Sequence, residues 1–188
     1  MAEIEKEITV KLKWNLDETK VHFVNKGIPL FESFVLKDIY LVRKDVDVKK
    51  TKNLDVLSKS IIIRDVTGEQ SEKKLVYKDK KYDEARNILS STKYSCPITN
   101  IEKMCDFLNA IGYKEVFRYE QECLEYKCGE SNIILEYIPE LGLFAEIENN
   151  NKSTEGLIEE LNNLNIPYYE DEYFVKKASL MLDMIKKK

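Results

Sequence analysis

Apolar and polar residues alternate cleanly over residues 3–14. Ile8, Val10, Leu12 and Trp14 fall on one face; Glu3, Glu5, Glu7, Thr9, Lys11 and Lys13 fall on the other. A period of two places successive side chains on opposite faces, which predicts a strand. Residues 38–44, 58–66 and 72–79 read as further strands, with a turn at Thr67-Gly68 between the last two. Residues 113–127 and 132–138 read as a hairpin joined near Gly129, and 143–148 follows the turn from Pro139 to Gly142. The segment Val21-His22-Phe23-Val24 also reads as strand.

Three stretches carry a helical period instead. Asn100 is placed to cap a helix over 101–110 ending at Gly112, with Met104, Phe107, Leu108 and Ile111 as its apolar stripe. Ser153 or Thr154 starts a second helix through Leu164, and a third runs from about Tyr173 to the terminal lysines. In that reading, the acidic run 168–173 supplies negative charge to the third helix's first turn. Many antiparallel strands with few helices predict an α+β fold, with the sheet left open or closed into a barrel.

A chain of 188 residues, 43% hydrophobic, suits one domain with a sizeable core. That domain is expected to span 1–188, with a strand-rich part over 3–148 and a helical part over 149–188. Apolar runs such as Ile61-Ile62-Ile63 are far too short for a helical membrane span. With 30 Lys and Arg against 34 Asp and Glu, the net charge of −4 shows no basic footprint, so no nucleic-acid partner is expected. The first ten residues lack an apolar stretch with a cleavage site, and a cytoplasmic protein is expected. Cys96, Cys105, Cys123 and Cys128 form no C-x-x-C pair, and His22 is the sole histidine. That supply is poor for zinc, and free thiols are the simpler expectation.

The charged strand faces change the picture. Residues 143–148 put Glu146 and Glu148 on one face; residues 72–79 put Lys74 and Lys78 opposite Leu75 and Tyr77. Carboxylates two residues apart on a strand point the same way, about 6.5–7 Å apart. Such a pair suits hard divalent cations, and nearby cationic side chains suit phosphate oxygens. Two readings stay open on periodicity alone: a solvated outer face, or a polar lumen.

The ordered motifs resemble the CYTH superfamily, the triphosphate tunnel metalloenzymes. Glu7-Ile8-Thr9-Val10-Lys11 resembles the family's E-x-E-x-K strand, with Thr9 at the second Glu and Glu5 offering a displaced acid on the same face. The stretch 132–148, NIILEYIPELGLFAEIE, resembles the family's closing L-G-x-F-x-E-I-E region. Between them, 38–40 resembles D-x-Y, 60–64 resembles L-R-x-R, and 75–78 resembles L-T-Y-K. The resemblance covers about residues 3–148. It implies an eight-stranded antiparallel tunnel, closed or nearly closed, with helices packed outside and a helical C-terminus. It implies Mg²⁺ or Mn²⁺ held by Glu7, Glu136, Glu146 and Glu148. It implies phosphate contacts from Lys11, Arg64 and Lys78, with Lys93 in place of an Arg and Lys11 also serving the nucleophile. ATP, thiamine triphosphate or tripolyphosphate become the expected ligands, through hydrolysis or cyclisation.

Some family positions differ. Ile62 stands at a cation, 93–98 lacks the family's acid pair, and Gln121, Glu122 and Cys123 surround two further cation positions. These losses imply weak turnover, or a tunnel that binds an anionic ligand without turnover, or a scaffold. Lys13 is a further cation beside the first strand's motif.

Overall fold

The computed structural model describes residues 3–4, 6–82, 88–170 and 173–187. Glu5, the displaced acid, lies outside the described residues. The chain runs β1 (Glu3–Ile4), β2 (Glu7–Lys11), α1 (Leu16–Asn25), β3 (Leu30–Arg43), α2 (Asn53–Leu57), β4 (Ile61–Thr67) and β5 (Glu72–Tyr82). It continues through β6 (Ile88–Pro97), α3 (Ile101–Ala110), β7 (Tyr113–Cys128), β8 (Ser131–Ile138), β9 (Gly142–Glu148), α4 (Thr154–Leu164) and α5 (Lys177–Lys186). The fold is α+β.

All ladders between these strands are antiparallel, in the order β1-β6-β5-β4-β3-β7-β8-β9-β2. The two edge strands, β1 and β2, are pieces of one N-terminal segment, so eight chain segments build a strongly curled, nearly closed sheet. Among the described residues, no ladder joins β1 to β2. The far edge of β2 is covered instead by the C-terminal stretch. Thr9 N–H donates to the Tyr173 carbonyl and Val175 N–H to the Thr9 carbonyl, both at 3.0 Å, in a parallel bridge at Phe174. This satisfies backbone groups that an edge strand otherwise leaves to solvent.

Strand parity sorts the core into an outside and an inside. Ile8, Val10, Ile133, Leu135, Ala145 and Ile147 face outward and are sealed by α1 and α4 through Phe23, Leu157, Leu161 and Leu164. On another outer stretch, α3 covers Ile39, Leu41 and Ile63 with Leu108. The inner face carries Tyr40, Ile62, Val76, Tyr119 and Phe144, and these pack on Met181 and Leu182 of α5. The C-terminal helix, with α2 beside it, therefore fills one end of the lumen rather than only lying outside the sheet.

Several expectations are corrected. His22 sits on α1, not on a strand: Asn15 and Glu18 form a reciprocal capping box that starts a helix there. The first strand ends at Lys11, with only an isolated bridge at Leu12. The last helix starts at Lys177, because the chain up to Val175 remains extended to cover β2. The α3 stripe is narrower than its period suggests: Met104 and Leu108 pack inward, while Phe107 and Ile111 are exposed. No helix among the described residues is long and apolar enough to cross a membrane.

Candidate functional site

The lumen holds a cavity of about 710 Å³. Each wall reaches it through the parity set by its strand. Glu7 and Thr9 enter from β2, Glu146 and Glu148 from β9, and Glu136 from β8. Arg64 enters from β4, Lys74 and Lys78 from β5, and Lys93 from β6. Lys74 and Lys78 of 72–79 and Glu146 and Glu148 of 143–148 thus line an interior. Their counterparts Ala145 and Ile147 lie in the outer core.

Three carboxylates converge. One oxygen from each of Glu7, Glu146 and Glu148 lies within 4.8 Å of the others. The register explains this: Glu7 pairs with Glu148, and Thr9 pairs with Glu146, across the β2–β9 ladder. Thr9 Oγ1 donates to Glu146 Oε2 at 3.3 Å, so the residue at the family's second Glu position positions an acid here. Three hard oxygen donors at this separation fit one divalent ion such as Mg²⁺ or Mn²⁺.

Glu136 has different partners. Its Oε1 accepts from Gln121 Nε2 at 2.7 Å, and its Oε2 accepts from Lys177 Nζ. The same ammonium donates to Glu146 Oε2 at 3.2 Å. Burial pushes Glu136 up to about 7, against the pull of Lys177. Burial opposes the charge on Glu146 too, but Lys177 and Lys78 hold its carboxyl down at about 2. Burial also works against the Lys177 charge, and Glu136 and Glu146 outweigh it, pushing Lys177 above the usual lysine range. Its role was not foreseen from sequence. Its two partners lie 41 and 31 residues away in the chain, and no local pattern links them.

The cations divide as well. Arg64 lines the cavity, yet its Nε donates to Asp38 Oδ1 at 2.8 Å and its Nη2 to Asp38 Oδ2 at 2.6 Å. Asp38 is wholly buried, so this fork is a structural pair as well as a lumen cation. Lys78 and Lys93 both line the cavity and are register partners on β5 and β6. Lys11 shares the parity of Glu7 and Thr9 but does not line the cavity. It is level with Phe144, where α5 fills the lumen, and its Nζ lies 5.9 Å from that ring's centroid. Gln121 and Cys123 also line the cavity; burial pushes the Cys123 thiol up, so it stays protonated. Glu125, Glu32 and Glu72 add further acids to the lining, and the cavity is far from uniformly basic.

No family profile matches the chain. No curated protein matches it in sequence. Solved structures do. The PH1819 protein of Pyrococcus horikoshii is 22% identical, with a TM-score of 0.70 over 96% of this chain and 99% of that one. A putative adenylate cyclase from Vibrio parahaemolyticus is 18% identical, with a TM-score of 0.64 over 96% and 99%. HpAC1 from Hippeastrum, described as a putative adenylyl cyclase with a dominant triphosphatase activity, is 12% identical, with a TM-score of 0.61 over 98% and 96%. At these identities the likeness is one of fold: the curled antiparallel sheet with its C-terminal helix is shared with these structures.

Proposed function

We propose that the whole chain is one tunnel domain that binds a triphosphate-containing small molecule together with Mg²⁺ or Mn²⁺. The observation carrying this reading is the convergence of Glu7, Glu146 and Glu148 in a lumen that also presents Lys78 and Lys93. Glu7, Glu146 and Glu148 would hold the ion. When bound, it neutralises phosphate oxygens and favours attack at phosphorus. Lys78, Lys93 and Arg64 bind the remaining phosphate charge, and the walls of the lumen restrict water. ATP, thiamine triphosphate and tripolyphosphate share that chemistry. The fold relatives named for cyclase and triphosphatase activity support a metal-assisted phosphoryl or nucleotidyl reaction on such a ligand. Lys11 sits outside the cavity lining, which argues against it as the residue serving the nucleophile.

A second reading, binding without turnover, is favoured by specific residues. Ile62 lines the cavity where the resemblance calls for a cation, Gln121 and Cys123 line it around two further expected cations, and Arg64 is shared with Asp38. A lost charged hydrogen bond costs roughly 1.5–3 kcal/mol, so several such losses weaken transition-state stabilisation severely. Calorimetric titration with tripolyphosphate, with and without Mg²⁺, tests binding. Phosphate and cyclic AMP release from tripolyphosphate, thiamine triphosphate and ATP tests turnover. Metal-dependent binding with release supports the enzyme; metal-dependent binding without release supports the binder; no binding overturns both.

A further inference from the structure

We propose that Lys177 is a resident cation that takes the place of a second divalent ion, so that the tunnel loads one metal per chain. This rests on the metal site proposed above. Glu136 lines the lumen with Glu7, Glu146 and Glu148, carboxylates enough for two divalent ions. The geometry assigns them unequally. Glu7, Glu146 and Glu148 converge as a trio. Glu136 is engaged at both oxygens, by Gln121 Nε2 and by the Lys177 ammonium. The ammonium beside it puts a positive charge where a second ion would meet Glu136.

The ammonium is held firmly. Lys177 is the first residue of α5, and its side chain is 13% exposed. The helix behind it is anchored in the lumen by Met181 and Leu182, both buried against the inner face. The chain before it is fixed by the hydrogen bonds of Tyr173 and Val175 to Thr9. Placed between Glu136 and Glu146, a fixed positive charge repels a divalent ion from that gap, whereas neither Glu7 nor Glu148 is a hydrogen-bond partner of Lys177 in the same bridge.

Gln121, which holds the other oxygen of Glu136, is itself buried. Gln121 is 3% exposed, and its Oε1 is a buried acceptor with no hydrogen-bond partner among the described residues. Buried polar atoms are seldom left unpaired. With the lysine charge removed, Glu136 and Glu146 supply carboxylate oxygens suited to a hard cation. A bound anion therefore meets one divalent ion and one ammonium, a lower positive charge than two divalent ions present.

Manganese is the probe. Free Mn²⁺ is followed by electron paramagnetic resonance during titration of the full chain, and calorimetry gives an independent stoichiometry. The wild type is expected to bind one ion per chain. Lys177→Met is expected to bind two, and Lys177→Met with Glu136→Gln one again. Circular dichroism checks that each variant folds. Two ions in the wild type, or one in a folded Lys177→Met variant, would overturn the inference alone. No Mn²⁺ on the wild type would overturn the metal site and the inference with it. If Lys177→Met does not fold, Lys177→Gln takes its place, and the wild-type count still decides between one and two.

Discussion

Arg64 and Asp38 face each other across the β3–β4 ladder as register partners, and their side chains close a two-pronged ion pair beside the lumen. Burial works against the Arg64 charge, but Asp38 outweighs it and raises the guanidinium well above its ordinary value. Breaking one half leaves a buried charge without its partner. Asp38→Ala is therefore expected to cost roughly 3–5 kcal/mol, read by urea denaturation. Replacing both, as Asp38→Leu with Arg64→Met, should recover most of that loss. A single-variant loss under about 1 kcal/mol, the range of exposed pairs, would show that the pair behaves as a surface bridge.

Glu7→Gln and Glu148→Gln each keep the side-chain shape and remove the charge that attracts a hard cation. Each should weaken Mn²⁺ binding by at least about 10-fold, the scale seen for groups that merely support metal ligands. The melting temperature of the metal-free protein should hold or rise, because crowded like charges are relieved. Unchanged calorimetric affinity in both variants would remove these residues from the metal site.

Glu136 and Glu146 give the metal-free protein two opposed pH windows. Glu136, raised by burial to about 7, keeps its proton in the folded state where the unfolded chain has lost it. Its contribution makes stability fall as pH climbs from the ordinary carboxylate value toward 7. For Glu146, burial is overcome by Lys177 and Lys78, which hold it at about 2. Its stabilisation is present above the ordinary carboxylate range and is lost as pH falls toward 2. Urea denaturation across pH in a chelator should show both slopes. Glu136→Gln should flatten the upper one and Glu146→Gln the lower; slopes unaltered by either change would contradict these assignments.

Asn15 accepts from the Glu18 N–H at 2.9 Å, and Glu18 accepts from the Asn15 N–H at 2.8 Å. Asn15→Ala should cost about 1 kcal/mol, the usual loss for an N-cap. Chemical denaturation measures it, and a change indistinguishable from zero would mean α1 does not depend on its cap.

Much of this architecture was legible because strand alternation is strict. The parity of Glu7 and Thr9, and of Glu146 and Glu148, placed them on one wall, and the lumen contains all four. Helix α1 was legible in principle: Asn15 and Glu18 have capping-box spacing, but β-branched Val21 and Val24 around His22 argued for a strand. The exposed Phe107 and Ile111 show how a helical stripe overstates burial when only one edge of it meets the sheet. Lys177 was not legible. A lysine near a helix start in a lysine-rich tail looks solvated, and only the extended run of 173–175 along β2 carries it into the lumen.

The edge of β2 has a consequence for how the protein folds. Glu7 through Lys11 find one set of partners at Glu148 through Phe144, and the other at Phe174. Among the described residues, none of the ladder partners of β2 is nearby in sequence, so the strand gains nothing from early hairpins such as β7–β8. Loop closure over such distances is entropically costly and slow. The first long strand of the chain is therefore expected to be among the last to be placed. Until then its apolar positions Ile8 and Val10 are bare, on a segment whose alternation suits pairing with a second copy as well as with β9. Refolding yield should fall as protein concentration rises, and the glutamates and lysines that alternate with those positions are what hold that strand in solution while it waits.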